Sequence, residues 1–181
     1  MIPDEQTIDA LWEKYKLPPL KRIHCGVVTQ VALAMVHKWK ARDAHMKINE
    51  QLLIAAAFLH DIDKNIPKLP GEKHPDAGVR ILKNEGMDEV AEVIRTHPLH
   101  MIVEERTAPK TIEQQLLFLA DKMAKQEFVG VDKRFEIWRH EDTDEQSQGV
   151  LKASYLKVAA LRDKILGCVG MTEEELAKLL R

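Results

Sequence analysis

The segments AAAFLHD and LLFLAD close on Asp61 and Asp121, so a carboxylate ends each of the two most apolar stretches of the chain. A carboxylate in that position is poorly hydrated. Left ionised and unpartnered it costs several kcal/mol or more, so each one requires a cation, a set of hydrogen-bond donors or a proton. Histidines stand in matching places: His60 is adjacent to Asp61, and His24, His74 and His97 fall at or near inferred helix ends or on apolar faces. Imidazole nitrogen combined with carboxylate oxygen is the ligand chemistry of Fe, Mn, Co, Ni or Zn, whereas an all-oxygen set would favour Mg or Ca. A solitary histidine on an apolar face is ordinarily a hydrogen-bonded core residue, and a solitary buried aspartate is often a cap or an ion-pair partner. The joint recurrence of both types at helix ends is what points to one or two divalent transition-metal ions.

Those residues need helices to hold them, and the spacing supplies helices throughout. Ile8, Leu11, Trp12 and Tyr15 recur at helical intervals until Pro18 and Pro19 interrupt. A second helix is expected from about Leu20 to Arg42, and a third, capped by Asn49, runs through the apolar segment Leu52 to Leu59 to about His60. Pro67, Pro70 and Gly71 mark a loop. Pro75 sits where a first helical residue is expected, and that helix should end near Gly86. Another spans Asp88 to about His97, stopped by Pro98, and Thr111 or Glu113 opens the helix that carries Leu116 to Ala120. Terminal helices are expected near Ser147 to Leu166 and Thr172 to Leu180, with no alternating strand pattern anywhere. The fold class is therefore all-α.

Composition narrows the function classes. The chain has 181 residues, 45% apolar and 31% charged, with only eight glycines and eight prolines, as suits a single soluble globular domain. Its 27 basic and 29 acidic residues leave a formal charge of -2, so no global field draws it to a nucleic acid polymer or an anionic membrane. An anionic substrate must be captured locally. Cys25 and Cys168 form no paired motif, the acidic start MIPDEQTIDA lacks a signal-peptide core, and the apolar run Leu52 to Leu59 is too short to span a bilayer. A cytoplasmic location is the expectation, with Cys25 as a core thiol rather than a nucleophile.

The series His24, then His60 and Asp61 in H-D-I-D-K, then Asp121 in L-A-D-K-M-A resembles the H...HD...D signature of the HD-domain metal-dependent phosphohydrolase superfamily. K-H-P-D-A-G-V-R-I-L around His74 and V-I-R-T-H around His97 resemble the two additional histidines of its HDIG-type, two-metal members. The resemblance covers about residues 20–135, with C-terminal helices at 145–181 completing a single HD domain over 1–181. It implies a helical bundle with the metal site at its centre, in which His24, His60, Asp61 and Asp121 bind a first ion. Asp61 would bridge to a second ion, completed by His74 and His97. It implies further that Lys64 contacts phosphate and that the enzyme cleaves a phosphate ester or anhydride, of a nucleotide or dinucleoside polyphosphate, by metal-activated hydroxide.

The sequence also departs from that pattern. Asp63 replaces the glycine of H-D-I-G-K, which adds an acidic group near the site or alters the turn, and Pro98 follows His97. No Gly-Tyr-Pro element is present, which disfavours cyclic-dinucleotide phosphodiesterase activity. The segment between Asp61 and His74 is short beside that of the dinucleoside tetraphosphatases, which leaves other phosphate esters open. Among the remaining residues, His100 reads as a loop histidine before a general acid, Arg95 as pointing away from the ions, and His37, His45 and His140 as structural or exposed. Lys122, Lys125, Lys133 and Arg134 read as a solvated helix face before a substrate mouth, because Glu127 and Asp132 interleave. Two other function classes remain: an HD-fold di-iron oxygenase, and a non-catalytic nucleotide-binding signalling module.

Overall fold

A computed structural model describes all residues, 1–181. Nine helices form it: α1 (Glu5–Lys14), α2 (Pro19–Arg42), α3 (Glu50–Leu59), α4 (Asp76–Asn84), α5 (Asp88–Ile94), α6 (Ile112–Lys122), α7 (Val131–Glu141), α8 (Glu145–Val169) and α9 (Glu173–Leu179). One 3-10 turn, Leu99–Val103, lies between α5 and α6. There is no strand, only an isolated bridge between Ala124 and Phe128. The all-α reading is correct.

Local chemistry sets the helix ends. Asn49 accepts the Leu52 N–H at 3.1 Å to start α3, and Thr111 with Gln114 forms a reciprocal capping box at the start of α6. Thr172 and Glu175 repeat the box at α9. Pro19 opens α2, where its missing N–H has no intrahelical partner to lose. Helix α3 stops at Leu59 and α5 at Ile94, each slightly short of the expected histidine, so His60 and His97 lie just beyond the helix proper.

Helix α7 is the element the periodicity did not announce. Val131, Phe135 and Trp138 fall at helical intervals, but charged residues separate them closely. Gly130 precedes it with φ 82°, a left-handed conformation that glycine adopts without strain, and the Val131 N–H donates to Glu173 Oε1 at 3.2 Å. A Cβ at position 130 would stand 2.1 Å from that same oxygen, so the join between α7 and α9 is built around the missing side chain.

Packing places α2 against α3, α6 and α8, with α3 also against α5 and α6. The buried apolar side chains form one continuous cluster that runs from Ile8 and Leu11 of α1 to Leu176 of α9. Gly78 of α4 permits a close approach: a Cβ there would lie 3.3 Å from Ile94 and 3.6 Å from the Asp63 carboxyl carbon. That approach brings the start of α4, and with it His74, onto the turn that follows His60 and Asp61.

Candidate metal centre

Each of the four histidines His24, His60, His74 and His97 spends its Nδ1 on an oxygen acceptor. His24 donates to the Lys125 carbonyl at 2.8 Å, His60 to Ala57 at 2.8 Å, His97 to Ile94 at 2.6 Å, and His74 to the Asp63 carboxylate at 2.8 Å. For His60 and His97 the acceptor is the carbonyl three residues earlier, one of those a helix leaves unpaired at its C-terminal end. With Nδ1 acting as donor, the neutral ring presents a lone pair at Nε2.

All four Nε2 atoms face a common space. His24 and His60 stand 3.3 Å apart at Nε2, and His74 and His97 stand 2.8 Å apart. Asp121 Oδ1 joins the first pair, 3.0 Å from His24 and 3.7 Å from His60. Asp61 lies between the pairs: Oδ2 is 3.9 Å from His60, while Oδ1 is 3.5 Å from His74 and 4.0 Å from His97. The structure thus gathers all six sequence-predicted ligands in one place, although His24 and Asp121 are 97 positions apart in the chain.

These separations fit a metal. Donor atoms about 2.0–2.2 Å from one ion stand roughly 3 to 4.4 Å from each other. His24, His60 and Asp121 come together near this range as one group, and His60, Asp61 and His97 as another, with the candidate donor atoms of each group within 4.8 Å of one another. The groups share His60, and the two oxygens of Asp61 face opposite histidine pairs. The facing lone pairs add a chemical argument, because imidazole nitrogens so close repel unless a proton or a cation lies between them.

Electrostatics keep the donors in the ligating form. Burial pushes the His60 ring down to about 4 and holds His97 well below its usual range, so both are neutral near pH 7. Burial works to raise Asp61, but the surrounding positive charge, with the Lys64 and Lys21 ammonium groups at the carboxylate, outweighs it and keeps the carboxylate ionised. Asp121 is held well below the usual carboxylate range, with burial opposing and the Lys122 ammonium on its Oδ2 prevailing. Cys25, 3.8 Å from His60, is fully buried, and burial pushes its thiol well up, so it is a core thiol.

A cavity of about 570 Å³ opens onto this cluster. Lys64 lines it, 3.3 Å from Asp61 Oδ1. Lys21, not singled out from the sequence, is 2.9 Å from Asp61 Oδ2. Its signal was its position one helical turn before His24. His100 stands on the cavity wall instead of in a remote loop. Arg95 pairs with Glu92 at 2.9 Å and lies outside the cavity, and His37, His45 and His140 are exposed.

The basic residues after Asp121 divide into two sets. Lys125 pairs with Glu141 at 2.6 Å and Lys133 with Glu136 at 2.8 Å, as a solvated face requires. Lys122 and Arg134 correct that reading. Lys122 is buried, with its ammonium on Asp121 Oδ2 and 2.6 Å from the His97 carbonyl, and Arg134 is drawn into the cavity wall. Asp63 is also buried and is the His74 partner.

No helix is long and apolar enough to cross a membrane. No curated protein and no solved structure matches the chain significantly. The family model described as the HD domain matches residues 22–126, a span that contains every one of the six clustered histidines and aspartates. With more than half of its length matched around that cluster, the chain belongs to the HD-domain family.

Proposed function

We propose that the chain is a metal-dependent phosphohydrolase that cleaves a phosphate ester or anhydride of a nucleotide or dinucleoside polyphosphate. Its family consists mostly of metal-dependent hydrolases. The observation that carries the reading is the convergence of four Nε2 atoms and two carboxylates, with Asp61 facing both histidine pairs. In this reading His24, His60, Asp61 and Asp121 would hold one divalent ion, and His74 and His97, together with Asp61, would hold a second. Bound there, such ions supply Lewis acidity: they acidify water and neutralise charge on a phosphoryl group.

The chain's own residues then have distinct tasks. The Nδ1 anchors fix the ring orientations, so that no ligand reorganises during turnover. Lys64 and Lys21 offer ammonium groups at the edge of the Asp61 carboxylate, where a phosphoryl oxygen would arrive, and Lys122 compensates the buried charge of Asp121. Five cations, Lys21, Lys64, Lys73, Lys122 and Arg134, line the cavity against three carboxylates, Asp61, Asp121 and Asp142. That local excess favours an anionic substrate in a chain whose global charge does not.

Metal analysis of protein purified without chelator, followed by a hydrolysis screen over nucleotides, dinucleoside polyphosphates and simple esters, tests the reading. Metal-dependent phosphate release under anaerobic conditions is the expected result. Turnover that requires iron and consumes dioxygen would replace it with an oxygenase, and nucleotide binding without turnover would replace it with a signalling module.

A further inference from the structure

The withdrawn cations of the cavity are satisfied, with one exception. Lys21 and Lys64 lie against Asp61, and Lys122 lies against Asp121 and the His97 carbonyl. Arg134 is only partly exposed, yet no carboxylate comes within 4.0 Å of its guanidinium, and its Nε is buried with no hydrogen-bond partner. The guanidinium is stacked 4.4 Å from the ring centroid of Trp138, one helical turn further along α7. Stacking holds the planar fork and leaves its edge free to donate. A half-buried charge without a partner is costly, and burial accordingly pushes the Arg134 pKa down. An anion delivered by a ligand removes that cost, and a phosphoryl group matches the fork with two parallel hydrogen bonds.

The position of Arg134 determines which anion it meets. It lines the same cavity as His24, Asp61 and Asp121, but from α7, on a wall completed by Gln146, Ser147 and Val150 of α8. The cavity, about 570 Å³, lies within the range of sites that enclose an entire small organic ligand, so it extends well beyond a single phosphoryl group. This wall lies outside residues 22–126, which contain the ligand cluster.

We propose that Arg134 binds the second phosphoryl group of the substrate, so that the enzyme acts on phosphoanhydrides in preference to simple monoesters. The inference rests on the phosphohydrolase reading. In the reaction, water attacks the phosphorus seated at the histidine–aspartate cluster and the bond from that phosphorus to the bridging oxygen breaks. The bridging oxygen leaves with the phosphoryl group held by Arg134, and one proton passes to solvent. The guanidinium meets charge that grows on the leaving phosphate, which an ester with an alcohol leaving group does not place there. Arg134 therefore selects the substrate by its leaving group.

The test uses the full chain loaded with Mn²⁺ and titrated calorimetrically with methylenediphosphonate, which cannot be hydrolysed at its P–C–P link, and with methylphosphonate. The wild-type protein should prefer the diphosphonate, and Arg134→Gln should reduce that preference at least ten-fold. Lys133→Gln, which removes a charge from the exposed face of the same helix, should retain it. Arg134→Lys keeps the charge but not the fork and should recover only part of it, which provides a second reading should the Gln variant fold poorly. A preference that survives in both Arg134 variants overturns the subsite. If wild-type protein cleaves phosphate esters in a metal-dependent manner while the preference does not depend on Arg134, the subsite alone falls. If it binds neither phosphonate and cleaves neither esters nor anhydrides, the phosphohydrolase reading falls and the subsite with it.

Discussion

Asp63 Oδ1 accepts the Nδ1 proton of His74 at 2.8 Å, and the Asp63 side chain is buried beneath the ring it orients. A buried carboxylate behind an imidazole fixes the tautomer and raises the basicity of the opposite nitrogen. The residue that departs from the usual H-D-I-G-K is thus the support of the more exposed of the four rings. Asp63→Asn should weaken the binding of a second equivalent of metal by about ten- to a hundred-fold and leave the first nearly unchanged. Competitive metal titration reads both, and equal weakening of the two would contradict the assignment.

Metal stoichiometry follows from the two histidine pairs. Saturation with Mn or Fe should give two equivalents per chain, separated by about 3.5–4 Å as in bridged hydrolytic centres. His74→Ala and His97→Ala should each reduce the count to one, as measured by elemental analysis after gel filtration. A single equivalent in the saturated wild-type protein would favour a mononuclear centre.

Asp61 faces both pairs, so in the proposed two-ion centre its charge would matter to both ions. Asp61→Asn should lose metal and hydrolysis while circular dichroism shows the helical content retained, because removing an anion from a metal-free cluster does not disturb the apolar core. Lys64→Ala should keep its metal and lose about 2 kcal/mol of transition-state stabilisation, roughly thirty-fold in kcat/KM. An Asp61→Asn protein with wild-type metal content and turnover would remove the basis of the mechanism.

The loop before α4 has its own acid sensitivity. Glu72 accepts from Arg80 Nε at 2.6 Å and Nη2 at 3.0 Å and from the Leu69 N–H at 2.8 Å. The Arg80 hydrogen bonds first, and then the Leu69 N–H, lower its pKa from 4.5 to about 2. Between those values the unfolded chain binds more protons than the folded one, so the contribution of Glu72 is complete above 4.5 and lost as pH falls toward 2. Glu72→Gln should melt below wild type near neutrality, and the gap should close across that window in thermal melts at low salt.

The candidate ligands were legible because histidine and aspartate are out of place at the ends of AAAFLHD and LLFLAD, and their side-chain types carry the chemistry directly. Residues that act through tertiary cover were less legible. Lys122 sits in a basic stretch that reads as solvated, and only the fold buries it beside the His97 carbonyl. Asp63 meets His74 across a loop whose path no periodicity encodes. In α7 the apolar positions Val131, Phe135 and Trp138 are diluted by charge, so the helix that carries Arg134 gave a weak signal.

The anchors of the four rings differ in how far along the chain they come from. His60 and His97 are aimed by carbonyls three residues earlier, so their orientation is settled once α3 and α5 form. His24 waits for the Lys125 carbonyl, 101 positions later, and for Asp121. During vectorial synthesis from the N-terminus, the four donors after His24 and before Asp121 emerge while His24 still lacks both its anchor and its carboxylate partner. The proposed His24–His60–Asp121 site would therefore be completed late in translation, after the residues around 125 have left the ribosome and docked on α2, whereas Asp61, His74 and His97 have all emerged well before.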